Sequence, residues 1–207
     1  MAVPHSLPQR IFLLAYNPDK GRVALGTHLG AMLRAAALAD LYRAGHLTDE
    51  RGRAAIDVRH PCRDPVLEAL LEEIAGSKPH TWQSWIGHRQ GAVIRAVRQQ
   101  LNDGGWVHLQ PHRILGLFPT SKVTIREPRV RKELLDRVNT ALHEPIGSID
   151  PADATLVAII VAGDLSFVLD RKTRRANKQR IQELTKLSEP IGPALYKSIQ
   201  AAAIGEV

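Results

Sequence analysis

The chain has 207 residues, 44% of them hydrophobic and 4% aromatic, which is enough for one sizeable core without disulfide or metal staples. A net charge of +7 favours polyanionic partners, nucleic acid or an anionic membrane surface, without choosing between them. The single cysteine, Cys62, rules out an intramolecular disulfide and fits a reducing compartment.

Alanine, arginine and leucine dominate, and their propensities favour helix. Ser6 followed by "LPQRIFLLAY" predicts a capped helix with proline in its first turn. Its apolar stretch, Ile11 to Tyr16, is too short for the core of a signal peptide. Thr27 is placed to cap a long helix, "HLGAMLRAAALADLYRAG", that ends at Gly45. A small hairpin is expected next, with His46–Thr48 and Ala54–Val58 as strands around an acidic, glycine-containing turn. Asp64 to Ala75 has Val66, Leu67, Leu70, Leu71 and Ile74 on one helical face. "KPHTWQSWIGHRQGAVIRAVRQQLNDGG" reads as a short helix leading into a strong one, closed by Gly104 and Gly105. The main β feature is "WVHLQPHRILGLFPTSKVTI" (106–125), with a hairpin at about 113–125 whose strands, "RILGLF" and "KVTI", flank a turn at "PTS". Residues 127–142 predict an amphipathic helix, and residues 153–170 a nearly all-apolar one at the centre of the core. Two more helical segments follow "DRKTRRANK". The longest apolar run there, "LVAIIVAG", is far short of the roughly 20 residues of a membrane span. The expectation is a single domain over 1–207, mainly α, built around a central helical bundle with a protruding β-hairpin.

Arg34 is the first anomalous residue. Its helical neighbours at three and four positions are Gly30, Ala31, Ala37 and Leu38, all small or apolar. A guanidinium on such a face must snorkel, pair with a carboxylate or meet an external anion. Asp40 and Asp57 are the candidate internal partners. Arg95 and Arg98 lie one turn apart on a helix whose buried stripe is Ile94, Val97 and Leu101. No carboxylate lies within four residues of either. Guanidinium forks bind phosphate oxygens bidentately, so the pair is suited to clamping a phosphate.

The order of these segments resembles the Golgi phosphoprotein 3 family, whose members bind phosphatidylinositol 4-phosphate at membrane surfaces. The resemblance runs through "RIFLLAY", "LRAAALADLYRAGHL", the tryptophan-flanked approach to "IRAVRQQL", "ILGLF…KVTI", "TLVAIIVAGDLSFVL" and "RANKQRIQEL", and the composition is that of a bacterial-type member. It implies a mainly α-helical domain and a lipid-headgroup site at Arg34, Arg95 and Arg98. It also implies a hairpin through which members form homo-oligomers, here with Ile114, Leu115, Leu117 and Phe118 as apolar contacts. The family's eukaryotic members carry a tryptophan at the position of Leu25, which here would serve as an apolar wedge beside the headgroup. The partner so implied is an anionic phospholipid of the phosphatidylinositol 4-phosphate type. The place of action is the cytoplasm, peripherally at the cytoplasmic face of the membrane. No cofactor or metal is implied.

Other classes fit less well. A winged-helix nucleic-acid binder lacks a tight turn between helices ahead of the small hairpin, and the wing turn "DERG" carries two acids that repel phosphate. An enzyme lacks a catalytic set: Cys62 has His60 and Asp64 near it only in sequence, and Pro111 spoils the helical ligand spacing of His108 and His112. A protein–protein assembly adaptor with purely structural arginines is the remaining alternative. Basic runs at 113–132 and 171–180, with six basic residues each, support surface binding of some kind.

Overall fold

The computed structural model describes residues 3–24, 28–57, 61–114 and 118–205, leaving aside the side chains of 111–114, 118–121 and 205. Helix α1 (Leu7–Leu14) has Ser6 in its N-cap position and proline in the first turn, yet the Ser6 side chain makes no capping bond. Asp40 takes that role, its Oδ2 accepting from Leu7 N–H at 2.7 Å, so an anion from another helix meets the positive end of α1. A short ribbon, β1 (Tyr16–Asn17) with β2 (Arg22–Val23), leads to α2 (Leu29–Arg43). Thr27, the expected cap of α2, lies outside the described residues. Gly45, at φ +75°, ends the helix as expected by adopting the left-handed conformation a C-terminal turn requires.

Strands β3 (Leu47–Glu50) and β4 (Arg53–Ile56) form the small hairpin, with Gly52 at φ +81° in its turn. Asp64 caps α3 (Pro65–Ala75), its Oδ1 accepting from Val66 N–H at 2.9 Å and Leu67 N–H at 3.2 Å. The whole expected apolar face of α3 is buried. Strand β5 (His80–Thr81) adds to β4, and Thr81 caps α4 (Trp82–Gly87). Helix α5 (Gln90–Asp103) ends at Gly104 and Gly105.

The large hairpin is β6 (Val107–Ile114) and β7 (Phe118–Ile125), so it starts six residues earlier than the expected 113. Its register pairs Ile114 with Phe118 and Val107 with Ile125. The chain therefore reverses between Ile114 and Phe118, not at "PTS", which lies within β7. Pro111 pairs with Ser121 and Pro119 with Arg113 in this ladder; both prolines are tolerated because each strand of a two-stranded ribbon is an edge. Val107 and Val123 are buried at its base. Of the expected self-association residues, Leu115 and Leu117 lie outside the described residues, while Ile114 and Phe118 are described as strand backbone.

After α6 (Pro128–His143) and a 3-10 turn at Ile146–Ser148, α7 (Pro151–Ala162) runs through the core. It is shorter than the expected 153–170. A Cβ on Gly163 would collide with the Met32 side chain, Asp164 takes a left-handed φ of +51°, and Arg174 pins the turn through Asp164 at 2.6 Å and the Leu169 carbonyl at 2.7 Å. Helices α8 (Arg171–Ala176), α9 (Lys178–Leu187) and α10 (Ile191–Gly205) complete the fold.

The fold is mainly α, and its centre is shared by α7 and α2. Helix α2 packs against α1, α3, α4, α5, α7 and α10, and its consecutive alanines allow close approach on every side. A Cβ on Gly30 would run into Gln90, fixing the contact between α2 and α5. Among the described residues no helix is long and apolar enough to cross a membrane.

Burial pushes the Asp40 carboxyl up to about 6, although the Leu7 N–H, Arg43 and Arg10 favour its charge. Between the ordinary value of 3.8 and about 6, the folded state holds a proton that the unfolded chain has released. Its contribution to stability is therefore full below 3.8 and declines as pH rises to about 6, by about 3 kcal/mol. Asp40→Asn, which cannot ionise, should lack that decline. Urea unfolding of both proteins across this range will measure the difference.

Candidate functional site

Arg34 sits in the middle of α2 with 4% of its surface exposed. Its Nε donates to the Trp85 carbonyl at 3.0 Å and one terminal nitrogen, Nη1, to Glu73 Oε2 at 2.9 Å. Nη2 is buried and has no hydrogen-bond partner among the described residues. The internal partner is thus Glu73 of α3. Asp40 is engaged with α1 and Arg43, and among the described residues no ion pair joins Asp57 to Arg34.

Glu73 gathers further cations. Its Oε1 lies 2.7 Å from His88 Nδ1 and 3.9 Å from Arg89 Nε. Burial alone would raise the Glu73 carboxyl, but hydrogen bonds and charge from Arg34, then His88, outweigh it and hold the group below its ordinary value. Trp85 is buried, supplies the carbonyl to Arg34 and meets His80 and His88 edge-on at 5.3 and 6.5 Å between ring centroids. Four helices, α2 to α5, therefore converge on one buried guanidinium. Arg89 holds φ +46° at the N-cap of α5, a conformation uncommon for a residue with a side chain.

Beside this cluster a cavity of about 490 Å³ opens between α2, α3 and α5. Arg34, Glu73 and Arg89 border it, and small apolar side chains from α3 and α5 form its walls. Arg95 and Arg98 do not line it. At 100° per residue, the α5 positions that do, such as Ala92, Ala96 and Gln99, define a face from which Arg95 is turned by about 100° and Arg98 by about 160°. Arg95 is exposed and Arg98 half-buried; among the described residues neither makes an ion pair or side-chain hydrogen bond. The stripe inside them is as expected, with Val97 and Leu101 fully buried and Ile94 half-buried. Leu25 lies outside the described residues.

The basic run 171–180 divides in two. Arg174 holds the turn after α7, and Arg180 donates to the Ala141 and Glu144 carbonyls at the end of α6. Arg171, Lys172, Arg175 and Lys178 are exposed. A second buried network joins α1, α6 and α7 through Asp153, which lies 3.5 Å from Arg10 and 3.4 Å from Arg137. Among the described residues no cluster of histidine, cysteine, aspartate or glutamate could hold a metal ion.

The sequence pointed to Arg34 but not to Glu73, His88 or Arg89. The legible signal was Glu73 itself, an acid at the border of the α3 apolar stripe, three residues from Leu70 and one from Ile74. Nothing in the "GHR" connection marks His88 and Arg89 as its partners, because that meeting depends on how α3 and α5 pack.

A family model described as Golgi phosphoprotein 3 (GPP34) matches residues 7–202, from the start of α1 into α10. No curated protein matches the chain.

Removing one member of a buried ion pair strands the other. Glu73→Ala should cost about 3 kcal/mol of unfolding free energy. Arg34→Met combined with Glu73→Gln should recover most of that loss, since neither charge is then left alone. Chemical denaturation of the two variants beside the wild type measures both effects.

Proposed function

The chain belongs to the Golgi phosphoprotein 3 family, and on that premise we propose that it is a peripheral membrane protein binding an anionic phospholipid headgroup of the phosphatidylinositol 4-phosphate type. The observation that carries the reading is the pair Arg95 and Arg98: two guanidinium groups one helical turn apart, one exposed and one half-buried, with no carboxylate among the described residues paired to either. A phosphomonoester accepts bidentate, charge-assisted bonds from such a pair. Arg34, implied by the same resemblance, is 4% exposed and held by Glu73 and the Trp85 carbonyl; in this reading it fixes the helix junction behind the pair, and the headgroup is met by Arg95 and Arg98. On the family's pattern, the leucine at position 25 would supply an apolar side chain to the interface.

The activity is recognition without chemistry. The exposed Arg171, Lys172, Arg175 and Lys178 add long-range attraction, about 1 kcal/mol each where they reach an anionic bilayer. Self-association through Ile114, Leu115, Leu117 and Phe118 would present several headgroup sites to one membrane and raise avidity. A nucleic-acid reading is disfavoured by α2, the helix ahead of the small hairpin, which buries 12 of its 15 residues and has no free face for a groove.

The test is co-sedimentation with liposomes containing phosphatidylinositol 4-phosphate, phosphatidylinositol or another anionic lipid at matched surface charge. Selective binding of the monophosphate is expected, reduced at least about tenfold by Arg95→Ala or Arg98→Ala, as the loss of a charge-assisted bond implies. Equal binding to every anionic membrane, abolished by salt and indifferent to Arg98, would overturn the reading and leave an assembly adaptor with a basic surface.

A further inference from the structure

We infer that Asn102 is a specificity-determining residue that donates to a hydroxyl group of the headgroup, beside a phosphate held by Arg95 and Arg98. The inference rests on the headgroup reading of that pair and adds a residue outside it. Helical geometry puts the three on one face. At 100° per residue, Asn102 points between the two arginines, about 20° from Arg95 and about 40° from Arg98. It lies one turn beyond Arg98, about 6 Å along the axis, and two turns beyond Arg95. Arg95 is exposed, whereas Arg98 and Asn102 are half-buried, so this face deepens toward the end of α5 that leads into the large hairpin.

The amide of Asn102 has a fixed sense. Its Oδ1 accepts from the Leu109 N–H of β6 at 3.2 Å. A backbone N–H can only donate, so the oxygen is the end turned to the hairpin and Nδ2 is the end turned away. Among the described residues Nδ2 has one contact, Asp103 Oδ1 at 3.5 Å, made at the surface. That distance is beyond the usual range of an N–H···O bond, and the same oxygen takes a better one from Gln99 Nε2 at 2.8 Å. A primary amide nitrogen carries two protons. At least one is therefore left for a ligand, on a group whose orientation the base of the hairpin sets.

Charge decides which group of a ligand the amide meets. The two guanidinium groups take the phosphomonoester, to which they can make charge-assisted, bidentate bonds. Asn102 is neutral, and the exposed carboxylate of Asp103 stands beside it. That carboxylate repels a second phosphate but accepts from a hydroxyl. The face thus runs from a phosphate end to a hydroxyl end, and a phosphorylated cyclic polyol presents both groups together. A phosphomonoester without a ring, as in phosphatidate, occupies only the first.

Equilibrium binding of the full chain to vesicles containing phosphatidylinositol 4-phosphate, and to vesicles containing phosphatidate at matched surface charge, tests this. The wild type should prefer the inositol lipid. Asn102→Ala should weaken binding to that lipid about fivefold, as the loss of one neutral hydrogen bond implies, and leave phosphatidate binding the same, so that the preference falls by the same factor. Asn102→Leu, close to asparagine in size, should do likewise. A merely structural role at the base of the hairpin would instead weaken both lipids together and keep their ratio. Arg98→Ala should weaken both, because both present a phosphomonoester. The wild-type ratio of affinities in either Asn102 variant overturns the role of Asn102, as does a wild type without preference; if Arg98→Ala still weakens binding, the arginine pair stands without it. Binding indifferent to Arg98→Ala overturns the headgroup reading and this inference with it.

Discussion

A guanidinium group in the middle of a helix that is buried on every side has to be answered, and α2 is surrounded by the elements that answer it. Because Arg34 is almost inaccessible, water cannot satisfy its donors. Glu73 must come from α3 and the Trp85 carbonyl from α4. The carboxylate that reaches Arg34 is itself only partly enclosed, and His88 and Arg89 at the entrance to α5 close over its other oxygen. One buried charge thus fixes the relative placement of four helices. Hydrophobic burial gives the bundle most of its stability, but alanine-rich faces can slide over one another. A charge with fixed donors specifies which register is taken.

The same constraint explains which parts of the fold could be read from the chain. The α3 stripe was legible because Val66, Leu67, Leu70, Leu71 and Ile74 repeat at helical spacing and are all buried. Helix ends at Gly45 and Gly104–Gly105 were legible because left-handed backbone is cheap only for glycine. The turn of the large hairpin was not. "PTS" has turn chemistry, but proline is also at home in an edge strand, and register depends on what Val107 and Val123 bury at the base. The C-terminal limit of α7 was missed because the apolar run continues in Leu165, Val168 and Leu169 beyond a turn that Met32 and Arg174 impose from elsewhere in the fold. At the site, Arg34 stood out from its own neighbours, whereas its acid lies 39 residues away on a helix whose packing no local pattern encodes.

Arginine has two uses here, and they account for how a strongly basic chain keeps its charges apart. Arg10, Arg34, Arg137, Arg174 and Arg180 are turned inward onto carboxylates and carbonyls. Their planar forks satisfy several acceptors at once, which lysine cannot do. Arg95, Arg171 and Arg175 remain at the surface, together with lysines and the half-buried Arg98. Counting basic residues along the sequence therefore overstates the field a membrane would meet: within 171–180, Arg174 and Arg180 are occupied by the fold. What remains is a surface of moderate positive charge with one close pair of guanidinium groups on α5.

The two faces of α5 illustrate how such a helix can serve two environments. Its inner side contributes Val97 and Leu101 to the core. One flank, turned to the cavity, has the small side chains of Ala92 and Ala96. The opposite flank has Arg95 and Arg98, whose stems can lie against the helix while their heads stay hydrated. Because the rotation between flanks follows from 3.6 residues per turn, substitutions at Ala92 or Ala96 and at Arg95 or Arg98 act on different surfaces of the same element. The α5 helix is held at its start by Arg89, His88 and Gln90 against Glu73 and Gly30. The start of α5 is thus fixed to α2 and α3 by the cluster around Arg34 and Glu73, and the same helix presents Arg95 and Arg98 on its outer face.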